Sequence, residues 1–339
     1  MTVVIAAAFL MAGATPAFAH TVAGAGATNY RTSLKHLSPK MEGLSVKIIE
    51  SGSRLEATYI GKGDVYVIGY QEEPYLRIGA RGVFENLKSP ATYINKTRNG
   101  VNPPGNTDPK AAPVWRKISS GHVARWHDHR IHFMGGTNPP QVRAEPNQRH
   151  VITDDWQVTF VHGSITTVAS GDLVWVPGPS AAPLLIVGLV LFVAVIIGAR
   201  AQPFLVVGAA TAVLVLADVV HSFGIGFANA GTFSGQFGRT LASSTVSLPA
   251  WLVGGAALWF FRNRKVDGFF ASVFCGLIIA VVGGLADITV LTRSVVPYAL
   301  PDEASRIIVL LSLALGFGVA VAAALSIRRL EPRVIDDDQ

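Results

Sequence analysis

The run PGPSAAPLLIVGLVLFVAVII, residues 177–197, divides the chain into two unlike parts. Before it, short β-type runs alternate with turn residues. After it, long apolar stretches follow one another with few charges between them. The segment 181–197 carries no charged residue and reads as the first crossing of a bilayer core about 30 Å thick. Four more spans follow, at 204–223, 248–261, 269–291 and 304–327, the third short enough that its start is expected a few residues earlier.

Composition agrees with this division. Of 339 residues, 50% are hydrophobic, and the mean hydropathy of +0.40 is too high for an ordinary soluble protein. The formal charge of +6 comes from dispersed basic residues, many flanking apolar spans, so membrane orientation explains it and nucleic acid is not an expected partner. Arg200, Arg262, Arg264, Lys265, Arg328, Arg329 and Arg333 fall on the expected cytoplasmic side, against Arg239, Arg293 and Arg306 outside. The single cysteine, Cys275, lies in an apolar span, which excludes a disulfide framework and a cysteine-based zinc site.

The first part reads as exported. Residues 1–19 resemble a secretory signal, with an apolar run at 3–11, then Gly13 and Pro16, and Ala17-Phe18-Ala19 as a small-x-small cleavage site. Cleavage there makes His20 the first mature residue. Runs at 44–50 and 54–60 flank Ser51-Gly52-Ser53 and predict a hairpin. Further strands are expected at 64–70, 75–78, 82–86, 114–118, 122–133, 156–162, 165–168 and 173–176, with a Pro-, Asn- and Gly-rich loop at 99–113. The expected organisation is an extracytoplasmic antiparallel β-sandwich over 20–179, cupredoxin-like or immunoglobulin-like, then a five-helix transmembrane domain over 180–330 and a cytoplasmic tail over 331–339.

The most chemically loaded stretch is Trp126-His127-Asp128-His129-Arg130-Ile131-His132-Phe133-Met134. On a strand, His127 and His129 share a face about 7 Å apart, with His132 opposite. An N-terminal His20 adds an amine and an imidazole to the same chemistry. Nitrogen donors of this kind suit Cu(II), so His20, His127 and His129 are the expected ligands. Asp128 and His132 are expected to orient those rings or to serve as alternative ligands. The competing reading is a polar surface strand between Trp126 and Phe133.

The Ala-Phe-Ala signal, mature His20 and His127-Asp128-His129 resemble the histidine-brace copper site in the soluble domain of the methane monooxygenase family. The export signal and His20 are also similar to the CopC family of extracytoplasmic copper-binding proteins. The layout of exported β domain and five spans resembles copper-handling membrane proteins of actinobacteria. These resemblances imply copper uptake, delivery or resistance, with the copper ion, the lipid bilayer and other copper-handling membrane or exported proteins as partners. The CopC-type aspartate-glycine-histidine ending and a second cupredoxin domain are both missing from the sequence.

The remaining histidines of the first part, His36, His122, His150 and His162, stand singly and read as surface residues. Tyr66, Tyr70 and Tyr75, with Glu72 and Glu73 between, read as sheet packing with a polar loop. In the spans, Asp218 and His221 lie three apart on one helix face, and Asp287 falls at a similar depth. Charge in hydrocarbon costs a few kcal/mol, so the three are expected to form one polar cluster. The chain has no phosphate-cradling glycine loop for an ATP-driven pump, and only 4 methionines argue against a Cu(I) channel. An oxygen-activating enzyme and a structural or assembly component are the alternatives to copper binding, enzymatic activity being the less favoured.

Overall fold

Strict alternation builds the three-stranded sheet. In β3 (Arg54–Tyr59) Leu55, Ala57 and Tyr59 are buried while Arg54, Glu56 and Thr58 are not, the period-2 pattern of a strand covered on one face. It pairs antiparallel with β2 (Leu44–Ile49), Leu44 opposite Tyr59. The connection is a tight turn at Glu50–Gly52 in which Glu50, Ser51 and Gly52 all have positive φ. On its other side β3 pairs with β8 (Val123–His127), Arg54 opposite His127.

A second, seven-stranded antiparallel sheet faces the same core. Its strands are β1 (Tyr30–Ser38), β4 (Asp64–Ile68), β5 (Pro74–Gly79), β6 (Gly82–Asn86), β7 (Trp115–Ser119), β9 (His150–His162) and β10 (Ile165–Trp175), in the order β1-β10-β9-β4-β5-β6-β7. Val65, Val67, Ile78, Val158 and Phe160 from this sheet join Leu55, Ala57 and Trp126 from the smaller one in one apolar cluster. Each fully buried large side chain there contributes about 1.5–3 kcal/mol. The two runs expected at 165–168 and 173–176 form one strand, β10, whose register shifts at Gly171. A Cβ at Gly171 would overlap the Ser33 carbonyl of β1, so only glycine admits the neighbouring strand.

The expected strand over 122–133 is a correction. β8 ends at His127; Asp128 leaves the sheet and Ile131 N closes a turn on Asp128 O at 3.1 Å. The shared strand face for His127 and His129 is lost with it.

The computed structural model describes residues 26–228 and 230–330. His20, the 1–19 signal and the 331–339 tail lie outside the described residues. Among the described residues the chain divides into two units, 26–178 with Arg293–Pro297, and Pro179–Thr292 with 298–330. In the β unit, Val295 pairs with Thr28 through two 2.9 Å hydrogen bonds, and Ser294 N donates to Asn29 Oδ1.

The helical unit consists of α1 (Ala182–Ala201), α2 (Pro203–Phe227), α3 (Phe233–Ser243), α4 (Ser247–Arg262), α5 (Asp267–Ile279) and α6 (Asp302–Leu330). α5 continues through a π-helical stretch, Ala280–Leu285. Among the described residues four helices are long and apolar enough to cross a membrane: α1, α2, α5 with its extension, and α6. α3 and α4 pass the same test only as a pair, bent by 75°, and add a fifth if the pair is one broken span. The third expected span thus falls on this bent pair, in which Thr232 caps α3 by accepting from Gly235 N. Small residues set the packing: a Cβ at Gly276 of α5 would clash with Gly316 O of α6.

Candidate functional site

Asp128 holds the histidine stretch in shape. It is fully buried, and its Oδ2 accepts from Trp126 Nε1 at 2.9 Å and from an Arg130 guanidinium nitrogen at 2.7 Å. Its Oδ1 accepts from Arg130 N and Arg130 Nε at 3.1 and 2.8 Å. The carboxylate is filled by four donors, which satisfies a buried charge. It therefore anchors the turn after β8 and offers no lone pair toward the histidines, a different role from the ligating or ring-orienting one expected for it. Arg130 also lies over the Tyr70 ring at 4.9 Å, and Tyr70 Oη accepts from His129 N at 3.0 Å. Burial pushes the Tyr70 phenol above its ordinary range, so it stays protonated, and it donates to Asn95 Oδ1.

That turn replaces the strand pattern expected for the three imidazoles. His127 is buried at the end of β8; its Nδ1 donates to Ser53 O at 3.0 Å, and its Nε2 accepts from Arg54 Nε at 3.2 Å. His129 donates from Nε2 to Thr97 O at 3.2 Å, which leaves Nδ1 as its acceptor nitrogen. His132 packs against His129, ring centroids 5.2 Å apart and edge to face. It is 6% exposed, and neither ring nitrogen makes a hydrogen bond of good geometry, the backbone of Phe133 being its polar neighbour.

The electrostatics favour the neutral form of two of these rings, His132 and His127. Burial, then the neighbouring Arg98 and His129, depress the His132 imidazole to about 4. Burial also lowers His127, with Arg54 and Arg98 adding to the effect against the stabilising Ser53 carbonyl. A neutral imidazole keeps a lone pair, which is the form that ligates a metal. Among the described residues no group of three or more His, Cys, Asp or Glu side chains is arranged to hold a metal ion.

The strand pattern of the sequence pairs His127 with His129; the structure pairs His129 with His132. Arg54, Ser53, Thr97 and Arg98 carry no signal that singles them out in the sequence. Arg54 is marked in the sequence only as the first residue of the second hairpin strand; its pairing with His127 across β3 and β8 is a finding of the structure. The other three act through backbone carbonyls or loop position and leave no compositional mark. His36 and His122 are exposed, while His150 and His162 are tied to the Glu145 and Asp64 carbonyls.

In the helical unit, His221 Nε2 lies 2.9 Å from Asp287 Oδ2. Asp218, one turn earlier on α2, is fully buried and its Oδ2 accepts from Trp251 Nε1 of α4 at 2.7 Å. Tyr298 stacks obliquely on His221, centroids 5.8 Å apart, and its hydroxyl donates to Val220 O. Cys275 is a buried thiol.

The chain is thus a protein with an antiparallel β-sheet unit and a helical unit carrying four or five membrane-competent spans. No family model, curated protein or solved structure matches it.

Proposed function

We propose that this membrane protein binds Cu(II) outside the cytoplasm through its β unit and takes part in copper uptake, delivery or resistance. The single observation that supports this reading is the His129–His132 pair, two neighbouring rings, one of them buried with both nitrogens lacking good hydrogen bonds. A buried polar side chain without partners costs about 1–3 kcal/mol, and a ligand that takes up its lone pair removes that cost. The donor chemistry fits copper: neutral imidazoles, with the His127 and His129 tautomers fixed by the Ser53 and Thr97 carbonyls. His20 supplies a further imidazole and, as the first mature residue, an amine. Asp128 sets the turn that carries the pair.

The hydrogen bonds on both nitrogens of His127 favour a second reading, in which that residue is structural and the β unit docks on an assembly partner. Copper titration of the mature full-length protein in detergent separates the two. Copper binding requires one equivalent of Cu(II) per chain, with His129→Ala and His132→Ala each weakening affinity by orders of magnitude. One glycine placed ahead of His20 keeps every side chain but displaces the amine. It should lower affinity and change the electron spin resonance spectrum. Stoichiometry near zero in the native protein overturns the copper reading, and an unchanged spectrum with the added glycine removes His20 from it.

A further inference from the structure

Asp218 is an acidic side chain that the β unit's chemistry does not use. It is 0% exposed inside the helical unit. Trp251 satisfies Oδ2, but Oδ1 has no hydrogen-bond partner, and Asp218 enters none of the ion pairs found among the described residues. An ionised carboxylate without a counter-charge in such a place is very costly.

A second orphan lies beside it. Ser312 of α6 is also 0% exposed, and its Oγ has no partner. Both oxygens border the same point: a Cβ built on Gly283 would collide with Asp218 Oδ1 and stand 3.4 Å from Ser312 Oγ. Gly283 belongs to the π-helical stretch, where Ala286 N donates to Val281 O, five residues back, and the regular pairing of backbone carbonyls shifts. Such bulges concentrate at functional sites, and broken helices in membrane proteins expose carbonyl oxygens that coordinate cations. α2, α6 and the π-helical stretch therefore bring a carboxylate oxygen, a hydroxyl and irregular backbone to one place.

We propose that Asp218 and Ser312, across Gly283, bind a sodium ion within the helical unit. The charge count selects a monovalent cation. Asp218 contributes one negative charge, and the nearby Asp287 is engaged with His221. A divalent ion such as calcium takes six to eight oxygens and more carboxylates than this. The oxygen-only donor set selects a hard ion over copper, so the inference stands apart from the copper reading of the β unit. Sodium is the smaller of the common monovalent cations and is the ion the proposal takes, with potassium as its comparison.

Purified full-length protein in detergent, compared in sodium, potassium and choline chloride at equal ionic strength, provides the test. Sodium should raise the thermal midpoint above both other salts, and radioactive sodium should bind at one ion per chain. Asp218→Asn and Ser312→Ala should each weaken sodium binding at least tenfold, while Ser326→Ala, a buried serine hydrogen-bonded to Ala322 O, keeps it. Ser312→Ala carries the test alone if Asp218→Asn does not insert. Equal midpoints in the three salts with no bound sodium overturn the proposal, as does full sodium affinity in Ser312→Ala. A midpoint that follows pH in choline and ignores sodium overturns it too, and assigns Asp218 to a proton instead.

Discussion

Arg54 Nε stands between two acceptors, 3.2 Å from His127 Nε2 and 3.5 Å from Glu50 Oε2. Glu50 is buried, and that oxygen has no other hydrogen bond, so the guanidinium divides itself between a lone pair and a carboxylate. A metal on His127 Nε2 has to displace Arg54 toward Glu50. Hydrogen bonds to charged groups are worth about 1.5–3 kcal/mol, so Arg54→Met should raise Cu(II) affinity roughly tenfold or more if His127 is a ligand. Competition titration against a chelator of known affinity gives the answer. An affinity that stays put leaves His127 as the structural end of β8 and restricts the site to His129, His132 and donors from elsewhere.

The Asp128 carboxylate ties Trp126, Arg130 and the turn at Ile131 together. Removing one member of a fully buried charged pair costs about 3–5 kcal/mol, which is an upper bound here because the Arg130 side chain is 21% exposed. Asp128→Asn should therefore lower the stability of the β unit by up to that amount, read from tryptophan fluorescence during chemical unfolding of the full-length protein. Copper affinity of the surviving folded fraction should fall as well, because the His129–His132 pair depends on this turn. Wild-type stability in Asp128→Asn would show that Trp126 and Arg130 hold the turn without it.

His132 carries a pH signature. Its folded-state value of about 4 lies below the ordinary 6.5, so between these values the unfolded chain binds a proton that the folded chain refuses. Stability then rises with pH through this window and is lost as pH falls from about 6.5 toward 4, with no further contribution above it. The thermal midpoint of metal-free protein should follow that course, and His132→Phe, which cannot titrate, should flatten it. A slope identical in the two proteins would place the acid sensitivity elsewhere.

Legibility in the sequence follows the range of the interaction. Alternation in residues 54–59 and the turn residues 51–53 mark a hairpin because strand period and turn chemistry are local. The break after His127 is not legible: Trp126 to Phe133 has strand composition throughout, and the Asp128–Arg130 contact that turns the chain is a tertiary satisfaction of a buried charge. β1 is hidden for a similar reason, since its side chains are mostly half-exposed and its place is fixed by pairing with β10. Residues 293–297 read as a connection between spans, yet Val295 and Ser294 complete hydrogen bonds of the β unit. In the spans, Asp218 and His221 announce themselves by cost alone. Their surroundings, Trp251 and the Gly283 stretch, read only as ordinary interface and packing residues.

The bent pair α3–α4 decides how the membrane is crossed. If Phe233–Ser243 and Ser247–Arg262 form one span, the chain crosses five times; if they enter and leave on one side, it crosses four times. Parity separates the cases, because an odd number puts residues before α1 and after α6 on opposite sides. The basic residues favour five. Arg262, Arg264 and Lys265 after α4 and Arg328 and Arg329 at the end of α6 share the cytoplasmic face that the positive-inside rule assigns them only if α3–α4 crosses. An epitope near Asn106 should accordingly be accessible from outside intact cells and a reporter after Gln339 active in the cytoplasm. A second epitope between Asn263 and Val266 should be cytoplasmic. Finding the Asn106 and Gln339 labels on one side, with the 263–266 label outside, would make α3–α4 a re-entrant hairpin and reduce the unit to four spans.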